Sequence, residues 1–413
     1  MRGRMQCICH DWDLRRRSPL TWPLLVKGME GKPLGITKKH KSSENQKLTY
    51  RISTMKTTTH MNRRIFLRNT AMGTAVLGLT PSTLNAMGKM KGSAVKNKVG
   101  LYSITFLGVW YKGNALTLDE MILKARDLGF DGIEIDGKRP HGNPLDMPTA
   151  RCKALKDKAN DVGLEIYAVS ANNDFSSPVP EHRECQIVYL RELMRMTSDL
   201  GVKPLRVFLG WPGVTLHPEG GSYDIAYGIW KHAHLMFEPE QIWDWCREGL
   251  IESAKYAGDF GVTLALQNHK PVINDWKDMM RMIKEVDSPN LKACLDAPIM
   301  DDKSPENMME AAQAVKDLQV LTHFGGEFGK DASGRIKDIQ ENHLSATGEP
   351  EIKVENYYPH FIKAMKSIGY DGWYSYELCH PLPVVKGQRV GVEFVEESAR
   401  CACTLMKEML KDV

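Results

Sequence analysis

Long apolar runs are missing from this chain. No stretch approaches the roughly 20 consecutive apolar residues that cross a bilayer, and the most compact one near the N-terminus, Ala71 to Leu79, is too short. This argues against stable membrane insertion. Cysteine is also scarce: nine among 413 residues, seven of them spread from Cys152 to Cys403. A disulfide scaffold packs its cysteines densely into a short chain, and neither Cys7-Ile-Cys9 nor Cys401-Ala-Cys403 has the partners of a zinc site. Positive charge is lacking where a nucleic-acid surface would need it. Residues 1–98 hold 20 basic and 4 acidic side chains, which leaves 35 and 47 for residues 99–413, a local balance near −12. Phosphate neutralisation demands the opposite sign, so no nucleic-acid partner is expected.

The basic leader has an order of its own. From Met61 it reads Asn62-Arg63-Arg64-Ile65-Phe66-Leu67-Arg68, then the modest apolar run, then Leu84-Asn85-Ala86 and a Gly/Lys/Ser segment to Lys98. Paired arginines, a weak apolar region and a small residue at a cleavage point resemble a twin-arginine export signal, which implies a periplasmic or otherwise exported protein. Residues 1–60 show neither apolar period and are expected to be a disordered or non-native upstream extension, with Met61 the true start.

From Val99 the pattern alternates between short β-branched runs and amphipathic helical stretches. The predicted strands are Val99 to Phe106, Gly132 to Ile135, Leu164 to Val169, Pro204 to Leu209, Val262 to Gln267, Leu291 to Asp296, Val320 to Phe324 and Gly372 to Leu378. Helical patterns fill the gaps, and several end on glycine before the next strand, as at Gly129, Gly163, Gly201 and Gly369. Eight such repeats predict an α/β fold, a (β/α)8 TIM barrel, as a single domain over residues 99–413. The alternative, a doubly wound open sheet, lacks its phosphate fingerprint: Phe106-Leu107-Gly108-Val109-Trp110 holds one glycine. Two long connections follow strands, Gly210 to Glu238 with Trp211, His217, Trp230, His232 and His234, and Gly325 to Pro350. Both fall on the C-terminal face as lid candidates, with packing on another subunit of a homo-oligomer the alternative.

The last four strand patterns end on polar residues. The fifth runs Leu264-Ala265-Leu266-Gln267-Asn268-His269, the sixth ends on Asp296, the seventh on His323 and the eighth on Glu377. With a period of 2, Gln267 and His269 share a face with Ala265, and all five polar groups converge on the barrel mouth. Oxygen and imidazole donors in this mixture suit one divalent metal ion such as Mn²⁺, Mg²⁺, Co²⁺ or Zn²⁺.

Gly129-Phe130-Asp131-Gly132-Ile133-Glu134-Ile135, Leu264 to His269, Cys294-Leu295-Asp296, His323-Phe324-Gly325 and Gly369-Tyr370-Asp371-Gly372-Trp373 leading to Glu377 resemble the xylose isomerase-like barrels of the sugar phosphate isomerase/epimerase superfamily. The resemblance implies a metal held by Gln267, Asp296, His323 and Glu377, and a sugar or keto-sugar substrate. Gln267 stands where that family usually has Glu, and an amide cannot accept a proton at neutral pH. A symmetric two-carboxylate epimerisation is thereby disfavoured. Glu377 becomes the expected base for isomerase, epimerase, lyase or dehydratase chemistry, with His269 as acid toward a leaving group. Glu134, Trp110, Trp211 and Lys270 are substrate-binding candidates, Glu134 equally a structural ion-pair partner. Arg206, inside the fourth strand pattern, is expected to pair with a barrel carboxylate. The competing classes are a non-catalytic sugar-binding barrel and a metal-dependent phosphodiesterase, the latter opposed by the body's charge.

Overall fold

The computed structural model describes residues 97–217, 220–339, 356–385 and 387–412. The expected export signal and upstream extension lie outside the described residues. In chain order the first part comprises β1 (Lys98–Tyr102), α1 (Leu118–Asp127), β2 (Gly132–Asp136), α2 (Thr149–Asp161), β3 (Glu165–Ser170), α3 (Pro180–Asp199) and β4 (Pro204–Val207). A hairpin of β5 (Thr215–His217) and β6 (Gly220–Ser222) follows, then α4 (Tyr223–His234) and α5 (Pro239–Phe260). The second half runs β7 (Thr263–Gln267), α6 (Trp276–Val286), β8 (Leu291–Cys294), α7 (Pro305–Val315) and β9 (Gln319–Gly325). It closes with the hairpin β10 (Phe328–Lys330) and β11 (Ile336–Asp338), α8 (Tyr358–Ser367), β12 (Trp373–Glu377), the hairpin β13 (Val384–Val385) and β14 (Gln388–Arg389), and α9 (Val392–Asp412).

Eight strands close a barrel in the order β1-β12-β9-β8-β7-β4-β3-β2, every pair parallel. This is the TIM barrel that the alternation predicts. Local signals account for the helix ends. Thr117 and Glu120 form a reciprocal capping box at α1, and glycines such as Gly163 (φ 67°) and Gly369 (φ 78°) reverse the chain into the next strand. Leu264 and Leu266 pack outward into the main core against the helices, while Ala265 faces inward, as the period of 2 requires.

The structure corrects several of these expectations, the fourth strand among them, which ends at Val207 rather than Leu209. The first strand stops at Tyr102, and Ser103–Phe106 form a 3₁₀ turn, so the chain bends over the rim earlier than its apolar run suggests. The sixth ends at Cys294, which puts Asp296 just beyond it. The connection expected to be a loop from Gly210 to Glu238 holds a hairpin and the twelve-residue α4, whose buried Ala226 and His234 tie it to the barrel. Among the described residues, no helix is long and apolar enough to cross a membrane.

The lower barrel is filled by Tyr167, Ala168, Ala265, Cys294 and Leu321, with Val320 and Trp373 against them. The Tyr167 ring lies flat on Trp373, 3.9 Å between centroids and 9° between planes, and its hydroxyl meets Ser375 Oγ at 2.5 Å. A Cβ at Gly100 would stand 2.2 Å from the Tyr167 hydroxyl. Stacking and hydrogen bond together hold that ring in place, so Gly100→Ala is expected to lower stability by about 1–3 kcal/mol, the usual cost of overpacking. Denaturant midpoints of the two proteins measure it, and an unchanged midpoint would mean that the ring can withdraw.

Candidate active site

Above this floor the inward positions turn polar. His323, on β9, is fully buried between two carboxylates: its Nδ1 lies 2.9 Å from Asp296 Oδ2 and its Nε2 2.9 Å from Glu134 Oε2. Burial disfavours the charged ring, but Glu134 and Asp296 outweigh it and hold the imidazolium well above the usual histidine range. Glu134 on β2 also accepts from Ser375 Oγ at 2.7 Å and from Ser170 Oγ. Burial would raise its carboxyl, yet His323 and then Arg206 bring it down to about 2.

Asp296 is fixed by backbone as much as by side chain. Its own N–H donates to Asn268 Oδ1 at 2.8 Å, and its carbonyl accepts from Asn268 Nδ2 at 3.1 Å, a reciprocal pair that anchors the turn beyond β8. The His323 N–H donates to Asp296 Oδ1 at 2.6 Å. Gln267, at the end of β7, donates from Nε2 to Asp296 Oδ2, and its Oε1 is buried with no hydrogen-bond partner among the described residues. Cys294 Sγ lies 3.5 Å from both Asp296 Oδ1 and His323 Nδ1, and burial with Asp296 beside it pushes the thiol up to about 12.

Glu377 ends β12 at the mouth. Its Oε2 lies 3.4 Å from Arg206 Nη1, so Arg206 pairs with a barrel carboxylate as expected. Burial raises the Glu377 carboxyl against the pull of His323 and Arg206. Arg206 itself, on β4, packs against Tyr102 and Phe208, 4.6 and 4.9 Å from the two ring centroids, and donates from Nη2 to the Tyr102 hydroxyl at 2.9 Å.

The donor set fits a divalent ion. A ligating histidine is ordinarily oriented by a carboxylate on its other nitrogen, which is the relation of Glu134 to His323 Nε2, and an ion at Nδ1 would take the place of the proton that nitrogen shares with Asp296. Ligand atoms of Asp296, His323 and Cys294 lie within 4.8 Å of one another, and the orphaned Gln267 Oε1 is a buried oxygen donor beside them. Glu377 is outside that group, drawn to Arg206. Asp296→Ala is expected to cut metal content from about one ion per chain to a small fraction, and to abolish the melting-temperature difference between loaded and stripped protein. Metal analysis after gel filtration checks this, with unchanged content the contrary result.

Other expected site residues are placed differently. Trp110 is buried against Tyr223, 4.9 Å between centroids, and offers no face to a sugar. Glu134 is fully buried, its carboxylate engaged by His323, Ser170 and Ser375. Lys270 forms an exposed pair with Asp301 at 2.9 Å. Trp230 belongs to α4 and donates to Ser176 Oγ at 2.8 Å. Trp211 does stand at the mouth, half-buried and edge-on to His269 at 4.9 Å.

His269, the expected acid, stands half-buried at the mouth. Burial pulls its imidazole down to about 4, and its Nδ1–H donates to the Lys270 carbonyl at 2.5 Å. The neutral ring therefore has an acceptor lone pair at Nε2 and no proton to give there. Sequence reasoning missed Asn268 and Cys294. The period of 2 running back from Asp296 to Cys294 is a signal for the second, whereas nothing local marks Asn268 as a backbone clamp.

Comparison with known proteins follows the same lines. The family described as xylose isomerase-like TIM barrel matches residues 122–398. Fructoselysine 3-epimerase of Escherichia coli is 23% identical over 189 residues, 44% of this chain and 62% of that protein. Xylose isomerase of Thermus thermophilus is 26% identical over 160 residues, 36% of this chain and 37% of that one. The matches thus span less than two thirds of these curated relatives. D-psicose 3-epimerase of Clostridium cellulolyticum, solved with D-tagatose, superposes with a TM-score of 0.54 at 18% identity, covering 76% of this chain and 99% of that one. At this identity the likeness is one of fold.

Proposed function

The chain belongs to the xylose isomerase-like TIM barrel family, and from that premise we propose that it is a divalent-metal-dependent enzyme that removes a proton next to the carbonyl of a keto-sugar. One observation carries the reading: the carboxylate of Glu377, at the end of β12, stands beside a buried cluster of oxygen and nitrogen donors contributed by Gln267, Asp296 and His323. The relatives named as sugar 3-epimerase and xylose isomerase support the substrate class.

A divalent ion held by Gln267, Asp296 and His323, with Glu377 beside it, would supply the charge that makes the substrate C–H acidic. The rest falls to the chain. Glu134 fixes the His323 ring through Nε2, and Asn268 fixes Asp296 through its backbone. Glu377, whose carboxylate ends β12 at the mouth, takes the proton. Gln267 cannot act as a second base. The proton's return to the same carbon from the other face gives epimerisation, and its return to the neighbouring carbon gives isomerisation. Loss of a β-substituent instead would make the enzyme a lyase or dehydratase, and that elimination would need an acid other than a neutral His269 whose Nδ1–H is given to the Lys270 carbonyl.

The test is incubation of metal-loaded protein with D-fructose, D-psicose, D-tagatose and L-ribulose in D₂O, read by NMR. Deuterium entering the carbon beside the carbonyl, and ceasing when chelator strips the metal, is the expected result. Tight sugar binding with no exchange would make the barrel a non-catalytic sugar-binding protein.

A further inference from the structure

We propose that Arg206 is a catalytic electrophile of this site, the group that receives the negative charge developing on the substrate's carbonyl oxygen. The inference rests on the proposed proton abstraction and extends it to the opposite side of the reaction.

Arg206 is 3% exposed, yet its hydrogen bonds fall well short of what a buried guanidinium can make. Of five N–H donors, one meets the Tyr102 hydroxyl at 2.9 Å and one reaches Glu377 at the long distance of 3.4 Å, while Nε is buried with no partner among the described residues. Buried charged donors are normally saturated, so an incompletely used one at an active-site mouth points to a ligand. The rings of Tyr102 and Phe208 pack against the guanidinium, 4.6 and 4.9 Å from centroid to Cζ, so hydrogen bonding is left to its N–H edge. That edge adjoins the proposed base.

This juxtaposition matches the electron flow. When Glu377 removes the proton, the C–H pair becomes the carbon–carbon π bond of an enediolate and the carbonyl π pair moves to oxygen. An Arg206 N–H next to Glu377 meets that oxygen as its charge grows, and reprotonation at carbon restores the carbonyl. A fixed donor aimed at developing charge is typically worth about 10²- to 10³-fold in rate. The structural alternative is that Arg206 only neutralises Glu377 and Glu134, a task lysine also performs.

The experiment compares wild-type, Arg206→Lys and Tyr102→Phe proteins, all metal-loaded, with whichever of the four ketoses above the wild type exchanges. Lysine keeps the charge and loses the planar fork. Arg206→Lys is expected to lower kcat about 100-fold or more with KM within threefold. Tyr102→Phe keeps the ring and loses one anchor of the fork, and should lower kcat about tenfold, a milder change that keeps the proposal testable if the lysine variant does not fold. Calorimetry adds a readout independent of turnover. D-xylonohydroxamate, an enediolate mimic, should lose at least tenfold in affinity for Arg206→Lys, while neutral xylitol binds as before. Unchanged kcat in both variants, or equal losses for the two ligands, would overturn the assignment. A wild-type protein that exchanges no proton with any of the sugars would overturn the proposed function and this inference with it.

Discussion

Glu377→Gln is expected to lower deuterium exchange into a keto-sugar by about 10²- to 10⁴-fold, the contribution of a positioned acid–base group. The substitution is nearly isosteric and keeps an oxygen toward Arg206 Nη1, so the guanidinium does not lose its partner outright. Folding should be preserved, and the melting temperature should confirm it. Sugar binding should change little, because the amide retains the size and polarity of the carboxylate; what it loses is the lone pair basic enough to take a proton. Exchange measured in single turnover separates this from product release. A variant that exchanges at the wild-type rate would remove Glu377 from the chemistry and direct attention to the His269 Nε2 lone pair.

Gln267→Glu should act on the metal before it acts on the reaction. Gln267 Nε2 donates to Asp296 Oδ2. A carboxylate there would exchange that attraction for repulsion between like charges, relieved by a cation. Two unit charges about 4 Å apart interact by about 4 kcal/mol at an effective dielectric constant of about 20. Even a fraction of this makes the stripped variant melt lower and bind divalent metal at least tenfold more tightly. Turnover is expected to fall, since the ion becomes a weaker Lewis acid and Glu377 alone does the proton transfer. A clear gain in epimerase turnover, with no elimination product from either protein, would instead show that the reaction wants a second carboxylate and that Gln267 is a deficit.

Much of this arrangement was legible in the sequence because periodicity is local. Eight apolar runs, glycine-terminated helices and polar strand ends place Gln267, Asp296, His323 and Glu377 at one mouth without knowledge of any contact. What stayed hidden depends on distant pairings. His323 is held by Glu134, 189 residues away, and Arg206 meets Glu377 across 171. The buried state of Trp110 depends on Tyr223, which an excursion after β4 brings over it. Nor does a histidine in the sequence reveal a tautomer: the His269 Nδ1–H is directed to its neighbour's carbonyl, a contact of the folded chain alone.

The floor made by Tyr167 and Trp373 bears on traffic. Stacked aromatic rings with Leu321 and Ala168 close the barrel from below, so ligands reach Glu377 from the loop side. Substrate and product then share one doorway. A product that has not left blocks the next molecule, so each sugar of an interconverting pair should inhibit the other competitively. Residence at that doorway, beside Trp211 and His269, becomes a place where turnover can be throttled without any change in the chemistry beneath it.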